Sequence, residues 1–85
     1  MEYPVLDMKA TGERIKKLRN ERCLTVDAVC VYMGLESAQA VYKWQSGKSL
    51  PTVDNLYALS KLFGVTIEDI LVETVGYKEG FGRAG

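Results

Sequence analysis

Eighty-five residues with 47% hydrophobic content suit one small domain, large enough for a core and too short for a second one. Eleven basic residues balance eleven acidic ones, so the chain as a whole is not a polycation, and any anionic partner must be met by an uneven distribution of charge. No apolar run approaches the roughly 18 residues of a bilayer span, and Met1-Glu-Tyr-Pro4 lacks the basic start and apolar stretch of a signal peptide. A cytoplasmic location is expected. The chain has no His, and Cys23 and Cys30 fit neither a zinc-ligand spacing nor a redox pair, so neither a metal nor a cofactor is expected. No nucleophile elbow or glycine-rich phosphate loop occurs and the carboxylates do not converge, which argues against an enzyme.

In chain order, residues 1–10 read as an extended arm or short edge strand, because Tyr3, Val5 and Leu6 are apolar and Pro4 forbids a helix interior. Its expected partner is 71–77, also rich in β-formers, in a short two-stranded ribbon within or between subunits. A first helix is expected to begin near Thr11, to keep Glu13 in its first turn, to bury Ile15 and Leu18, and to end around Arg22 or Cys23. A second should be capped by Thr25, with Leu24 and Val29 as a hydrophobic staple, and should stop at Gly34. Val26, Val29, Cys30 and Met33 then share one face, with Cys30 a buried, reduced thiol.

A third helix is expected from Ser37 or Ala38 to Gln45, ending at Ser46-Gly47. Ala40, Val41 and Trp44 point toward the second helix, which leaves Ala38, Gln39, Tyr42 and Lys43 facing outward. Gly47-Lys-Ser-Leu-Pro51 is a loop, and Thr52 is the expected cap of a fourth helix whose core face is Val53, Leu56, Leu59, Ser60 and Phe63, with Gly64 as its stop. A fifth helix carries a capping box of Thr66 and Asp69, a staple of Val65 and Ile70, and an apolar face completed by Ile67 and Leu71. The division expected is an arm at 1–10, a domain at 11–72, and a glycine-rich tail at 73–85 with no assigned function.

Charge is unevenly spread. Residues 9–48 hold eight basic side chains against four acidic ones, a net +4, and the rest of the chain carries −4. The positive half contains the two short helices that meet at Gly34, a pattern that reads as a helix-turn-helix.

These residues resemble the phage-repressor and Cro family of helix-turn-helix proteins, also called the xenobiotic-response-element (XRE) family. The resemblance runs from about Gly12 to Leu71. Its anchors are Gly12-Glu-Arg-Ile-Lys-Lys-Leu-Arg19, the helix-turn-helix itself, Gly47-Lys-Ser-Leu-Pro51, and Leu59-Ser-Lys-Leu-Phe-Gly-Val65 through Asp69-Ile-Leu71. It implies an all-α bundle of five helices whose third helix enters the major groove of DNA and whose last helix contributes to dimerisation. Cys30 stands where the family has a small residue that lets the motif helices approach. Arg19 matches an Arg that pairs with a Glu at the end of the third helix; Gln45 stands in the Glu position, implying a charge-assisted hydrogen bond instead. Two departures from the pattern are an extra residue between Gly34 and Val41, and Val26 where a phosphate-binding Gln is common. The backbone N–H groups at the start of the second helix remain for that phosphate.

The function implied is a sequence-specific transcriptional regulator of double-stranded DNA, a repressor that occludes a promoter, acting as a homodimer on a pseudo-palindrome. Gln39, Lys43, Tyr42 and Ala38 are the expected base-contacting residues, since Gln pairs with adenine and Lys with guanine in the major groove. Glu36 is able to accept from a cytosine amino group. Lys16, Lys17, Thr25, Ser37, Lys48 and Ser49 are the expected phosphate contacts, which set position without reading sequence. Trp44 is expected in the core. The alternative is an antitoxin-like or accessory protein-interaction module on the same fold, with a protein partner. Neither a membrane association nor a small-molecule ligand domain is expected.

Overall fold

Five helices follow one another in the computed structural model, which describes residues 3–74: α1 (Met8–Glu21), α2 (Val26–Met33), α3 (Gln39–Ser46), α4 (Val53–Phe63) and α5 (Ile67–Ile70). Ile15 and Leu18 of α1, Val29 and Cys30 of α2, Val41 and Trp44 of α3, Leu56, Leu59 and Phe63 of α4, and Ile70 of α5 form one buried cluster. Every helix therefore places part of an apolar face in a single core, which is the main stabilising term in so small a domain.

Local chemistry explains most of the boundaries. The Thr25 hydroxyl accepts from the Ala28 N–H at 3.0 Å and starts α2; Leu24, half-buried, packs on the core that holds Val29. Gly34 ends α2 in the left-handed region with φ +70°, a backbone conformation that costs glycine little. At α5, Thr66 and Asp69 exchange side-chain-to-backbone bonds of 3.1 Å each, the reciprocal box that the sequence shows.

Several boundaries differ from expectation. Helix α1 begins at Met8, not near Thr11, because the Asp7 carboxylate accepts from the Ala10 N–H at 2.9 Å and caps it. Met8, Lys9 and Ala10 are thus helical rather than part of an arm, and Glu13 falls in the second turn. Thr11 is buried, and its hydroxyl accepts from the Val72 N–H at 3.0 Å. The expected ribbon reduces to one antiparallel bridge, Leu6 with Glu73, flanked by Asp7 N–H to the Val72 carbonyl and Thr74 N–H to the Val5 carbonyl, each 2.7 Å. Glu73 and Thr74, expected in the tail, take part in this pairing, while residues 75–77 of that expectation and the rest of the tail lie outside the described residues. Val53, expected in the core, is 78% exposed, since α4 turns its Leu56, Leu59, Ser60 and Phe63 side inward. Thr52 holds the N-cap position of α4, but its hydroxyl donates to the Asp54 carboxylate instead of accepting a helix N–H.

The seat of α3 is a backbone contact. Gly12 of α1 is buried against the last turn of α3, where an added Cβ would lie 2.2 Å from the Trp44 carbonyl oxygen and 2.6 Å from that of Gln45. Gly47, the left-handed end of α3 at φ +83°, meets α1 in turn, its Cβ position being 2.8 Å from Lys9 Cα. A glycine inside a helix costs about 1 kcal/mol against alanine. Here the lost side chain is what lets the two backbones touch.

Two expected outcomes follow from these contacts. Gly12→Ala should lower stability by about 3 kcal/mol, the upper end of overpacking costs because the clash is with backbone, read as a reduced urea midpoint. Asp69→Asn tests the α5 box. The backbone N–H and then the hydroxyl of Thr66 hold the Asp69 carboxyl below its ordinary 3.8. A depressed carboxyl stabilises the fold above its unfolded value and loses that contribution as pH falls through the folded value. Wild type should therefore exceed the variant in stability at neutral pH, with the charge-dependent part of the gap closing below about pH 3.8 in thermal melts at stepped pH.

Candidate nucleic-acid interface

Helix α3 is only two turns long, and its two sides differ sharply. Val41 and Trp44 are buried, while Gln39, Tyr42, Lys43 and Ser46 are exposed at positions i, i+3, i+4 and i+7. Together with Lys48 in the following loop, these four line one shallow groove. An amide, a phenol, a hydroxyl and two ammonium groups are thus displayed along one edge of a rigidly seated helix. Among the described residues neither Lys43 nor Lys48 takes part in an ion pair, so both charges are available to an anion.

The C-terminal turn is wound tightly around one acceptor. The Lys43 carbonyl receives the Lys48 N–H at 3.0 Å, the Ser49 N–H at 3.4 Å and the Ser46 hydroxyl at 3.2 Å. This folds Lys48 back beside α3 and fixes where its side chain starts. Arg19 anchors the same end, its Nε donating to Gln45 Oε1 at 2.9 Å and a second guanidinium nitrogen to the Leu24 carbonyl at 2.8 Å. The Arg19–Gln45 bond implied by the family pattern is present. It joins α1, α3 and the turn into α2 in one partly buried clasp.

The other expected contacts are scattered more widely. Ala38 does not face outward: it is the half-buried N-cap of α3 and packs against the core. Without a side-chain acceptor there, the cap region is served by Ser37, whose hydroxyl accepts from the Gln39 N–H at 3.4 Å. Thr25 is exposed but engaged in capping α2. Lys16 and Lys17 are exposed on α1, and Lys17 lies 4.0 Å from Glu21. Ser49 is half-buried. Lys16, Lys17, Thr25 and Ser37 do not line the α3 groove, whereas Ser46 does and had not been singled out. Its signal was present in the sequence, seven residues after Gln39 on the same helical stripe.

Comparison with known proteins agrees with this geometry. A family model described as helix-turn-helix, HTH_3, matches residues 15–70. Over 60 residues, 71% of this chain, the sequence is 36% identical to the HTH-type transcriptional activator BcrR of Enterococcus faecalis. That stretch is 29% of BcrR, so the chain spans less than a third of this relative's length. Among solved structures, the restriction-modification controller protein C.AhdI from Aeromonas hydrophila is similar with a TM-score of 0.68 at 19% identity, over 75% of this chain and 96% of that one. The DNA-binding domain of BldD follows with a TM-score of 0.64 at 23% identity, over 75% and 92% of the two chains. At such identities these likenesses speak to the five-helix fold. The chain belongs to the HTH_3 helix-turn-helix family, the XRE or Cro/C1-type DNA-binding domains of transcriptional regulators.

Proposed function

We propose that this chain binds double-stranded DNA sequence-specifically, with α3 in the major groove, and represses transcription in the cytoplasm by occluding a promoter. The observation that carries the reading is the exposed stripe of Gln39, Tyr42, Lys43 and Ser46, with Lys48 beside it and the opposite side of the helix locked in the core. Gln39 and Lys43 have the donors and acceptors that distinguish adenine and guanine edges, and Tyr42 and Ser46 supply hydroxyls for a base or a phosphate. Lys16, Lys17, Lys48, Ser49, the start of α2 at Thr25 and the start of α3 at Ser37 would hold phosphates on either side. One such helix reads only a few base pairs, so two copies on a pseudo-palindrome, with half-sites about 34 Å apart, give the site useful length.

The sign of regulation has a second reading. BcrR, which is 36% identical over the matched residues, is a transcriptional activator, and the same DNA contacts serve activation when the bound protein helps polymerase instead of covering its site.

Fluorescence anisotropy with the DNA upstream of the gene and a scrambled duplex, across a salt series, tests the DNA reading. Gln39→Ala should remove most of the preference for the upstream duplex, a loss of about 1–3 kcal/mol in discrimination. Lys48→Ala should weaken both duplexes alike and reduce the slope of log K against log salt by about one. Absence of binding to either duplex at low salt rejects the reading. Transcription in vitro from the upstream promoter then decides the sign: a fall in transcript on adding the protein marks occlusion, and a rise marks activation.

A further inference from the structure

Helix α4 shows the solvent a stripe that neither the core nor the α3 groove uses. Val53 is 78% exposed and Tyr57, one turn on, is 55% exposed. After a further turn comes Lys61, whose ammonium lies 5.1 Å from the centre of the Tyr57 ring. Asp54 is exposed beside Val53, and the Thr52 hydroxyl it accepts from holds its carboxyl below the ordinary 3.8, hence charged at neutral pH. The stripe thus runs from an anion at one end, across an aliphatic and an aromatic side chain, to a cation at the other.

We propose that this face of α4 is where two copies of the chain meet, α4 against α4, antiparallel about a two-fold axis beside Tyr57. The order of charges selects both the occupant and the direction. A parallel pairing sets Asp54 against Asp54 and Lys61 against Lys61. Antiparallel pairing sets Asp54 of each copy opposite Lys61 of the other, because the two positions are equally far from the midpoint between residues 57 and 58. One surface is then complementary to itself, as a closed two-fold interface requires. Tyr57 falls at the axis, and Val53 lies against the aliphatic stem of the opposing Lys61. A partner of a single charge sign would match one end of the stripe and oppose the other. The exposed Val31 and Tyr32 of α2 offer no such logic, since Asp27 is the sole charge on that helix.

One helix stripe is smaller than the roughly 800 Å² per partner of a stable interface, so the pair is weak in free solution. It gains strength when two half-sites hold two copies side by side and raise their effective concentration. In this respect the inference rests on the two-half-site reading above.

Disulfide trapping tests it in the full chain. With the exposed Cys23 replaced by Ser, Tyr57→Cys should give a linked dimer under mild oxidation, and faster with upstream duplex present. Lys61→Cys in the same background should not: two residues 61 are about 10 Å apart along the helix axis in this pairing, beyond the roughly 7 Å reach of a disulfide. Adding Asp54→Lys to Tyr57→Cys should slow linking about fivefold, as the loss of two exposed ion pairs allows, and adding Lys61→Asp as well should restore it. Restoration in the double exchange separates a charge effect from a folding defect. Linking at position 57 no faster than at 61, or an Asp54→Lys change without effect, overturns the proposal. If the wild type binds duplex and position 57 fails to link, the α4 surface is wrong and the DNA reading stands. If position 57 links and no duplex binds, the reverse holds.

Discussion

The contact between Gly12 and the carbonyls of Trp44 and Gln45 is the constraint on which the rest of the molecule depends. A two-turn helix with a polar outer side has little stability of its own, because nucleating a helix costs more than its few hydrogen bonds return. Helix α3 persists because its inner side is buried by Val41 and Trp44 and its end is pressed directly onto α1. Two glycines, one from each side, permit that approach, and Arg19 closes it by bonding Gln45 and the Leu24 carbonyl together. A groove reader must hold its side chains within a fraction of an ångström to discriminate bases. In this chain the position of α3 is set by backbone packing on α1 rather than by α3 itself.

The same helix shows how charge is divided between folding and binding. In α1 the two arginines, and Arg22 at its C-cap, each reach a different part of the bundle: Arg14 donates to the Asp69 carbonyl of α5, Arg19 to Gln45 and Leu24, and Arg22 to the Phe63 carbonyl at the end of α4, at 2.8 Å. Arginine suits the task, having several donors in a fixed fork and a weakly held hydration shell. Lysines take the exposed positions, where a flexible, hydrated charge stays in solvent. The local excess of +4 thus overstates what is free for DNA, since these guanidinium groups are oriented inward onto carbonyls even though their charge still contributes to the field.

The helix-turn-helix was legible because its signals are local. Thr25, Gly34, Gly47, Gly64 and the Thr66/Asp69 pair each act within four residues, and a period of 3.6 separates Val41 and Trp44 from Gln39, Tyr42 and Lys43. What escaped was non-local or ambiguous. Nothing near Gly12 in sequence announces a carbonyl of residue 44, and the Arg14 and Arg22 bonds span 55 and 41 residues. The start of α1 was misplaced because Pro4 and the apolar residues after it suggested an arm that ran too far, while the Asp7 cap went unread. Val53 was assigned to the core by spacing alone, although it lies at the edge of the buried arc of α4. Ala38 was assigned outward for the same reason, and it stands instead at the N-cap of α3, half-buried against the core.

Leu6 and Glu73 face each other across a single bridge, and the bonds on either side of it tie residues 5 and 7 to residues 74 and 72. The entry and exit of the folded region therefore sit side by side, joined by the Thr11 hydroxyl to the first helix. A fold whose ends are this close is portable: it can be spliced into a surface loop of another protein, or cut elsewhere and reconnected from residue 74 to residue 3, with little rearrangement of its framework.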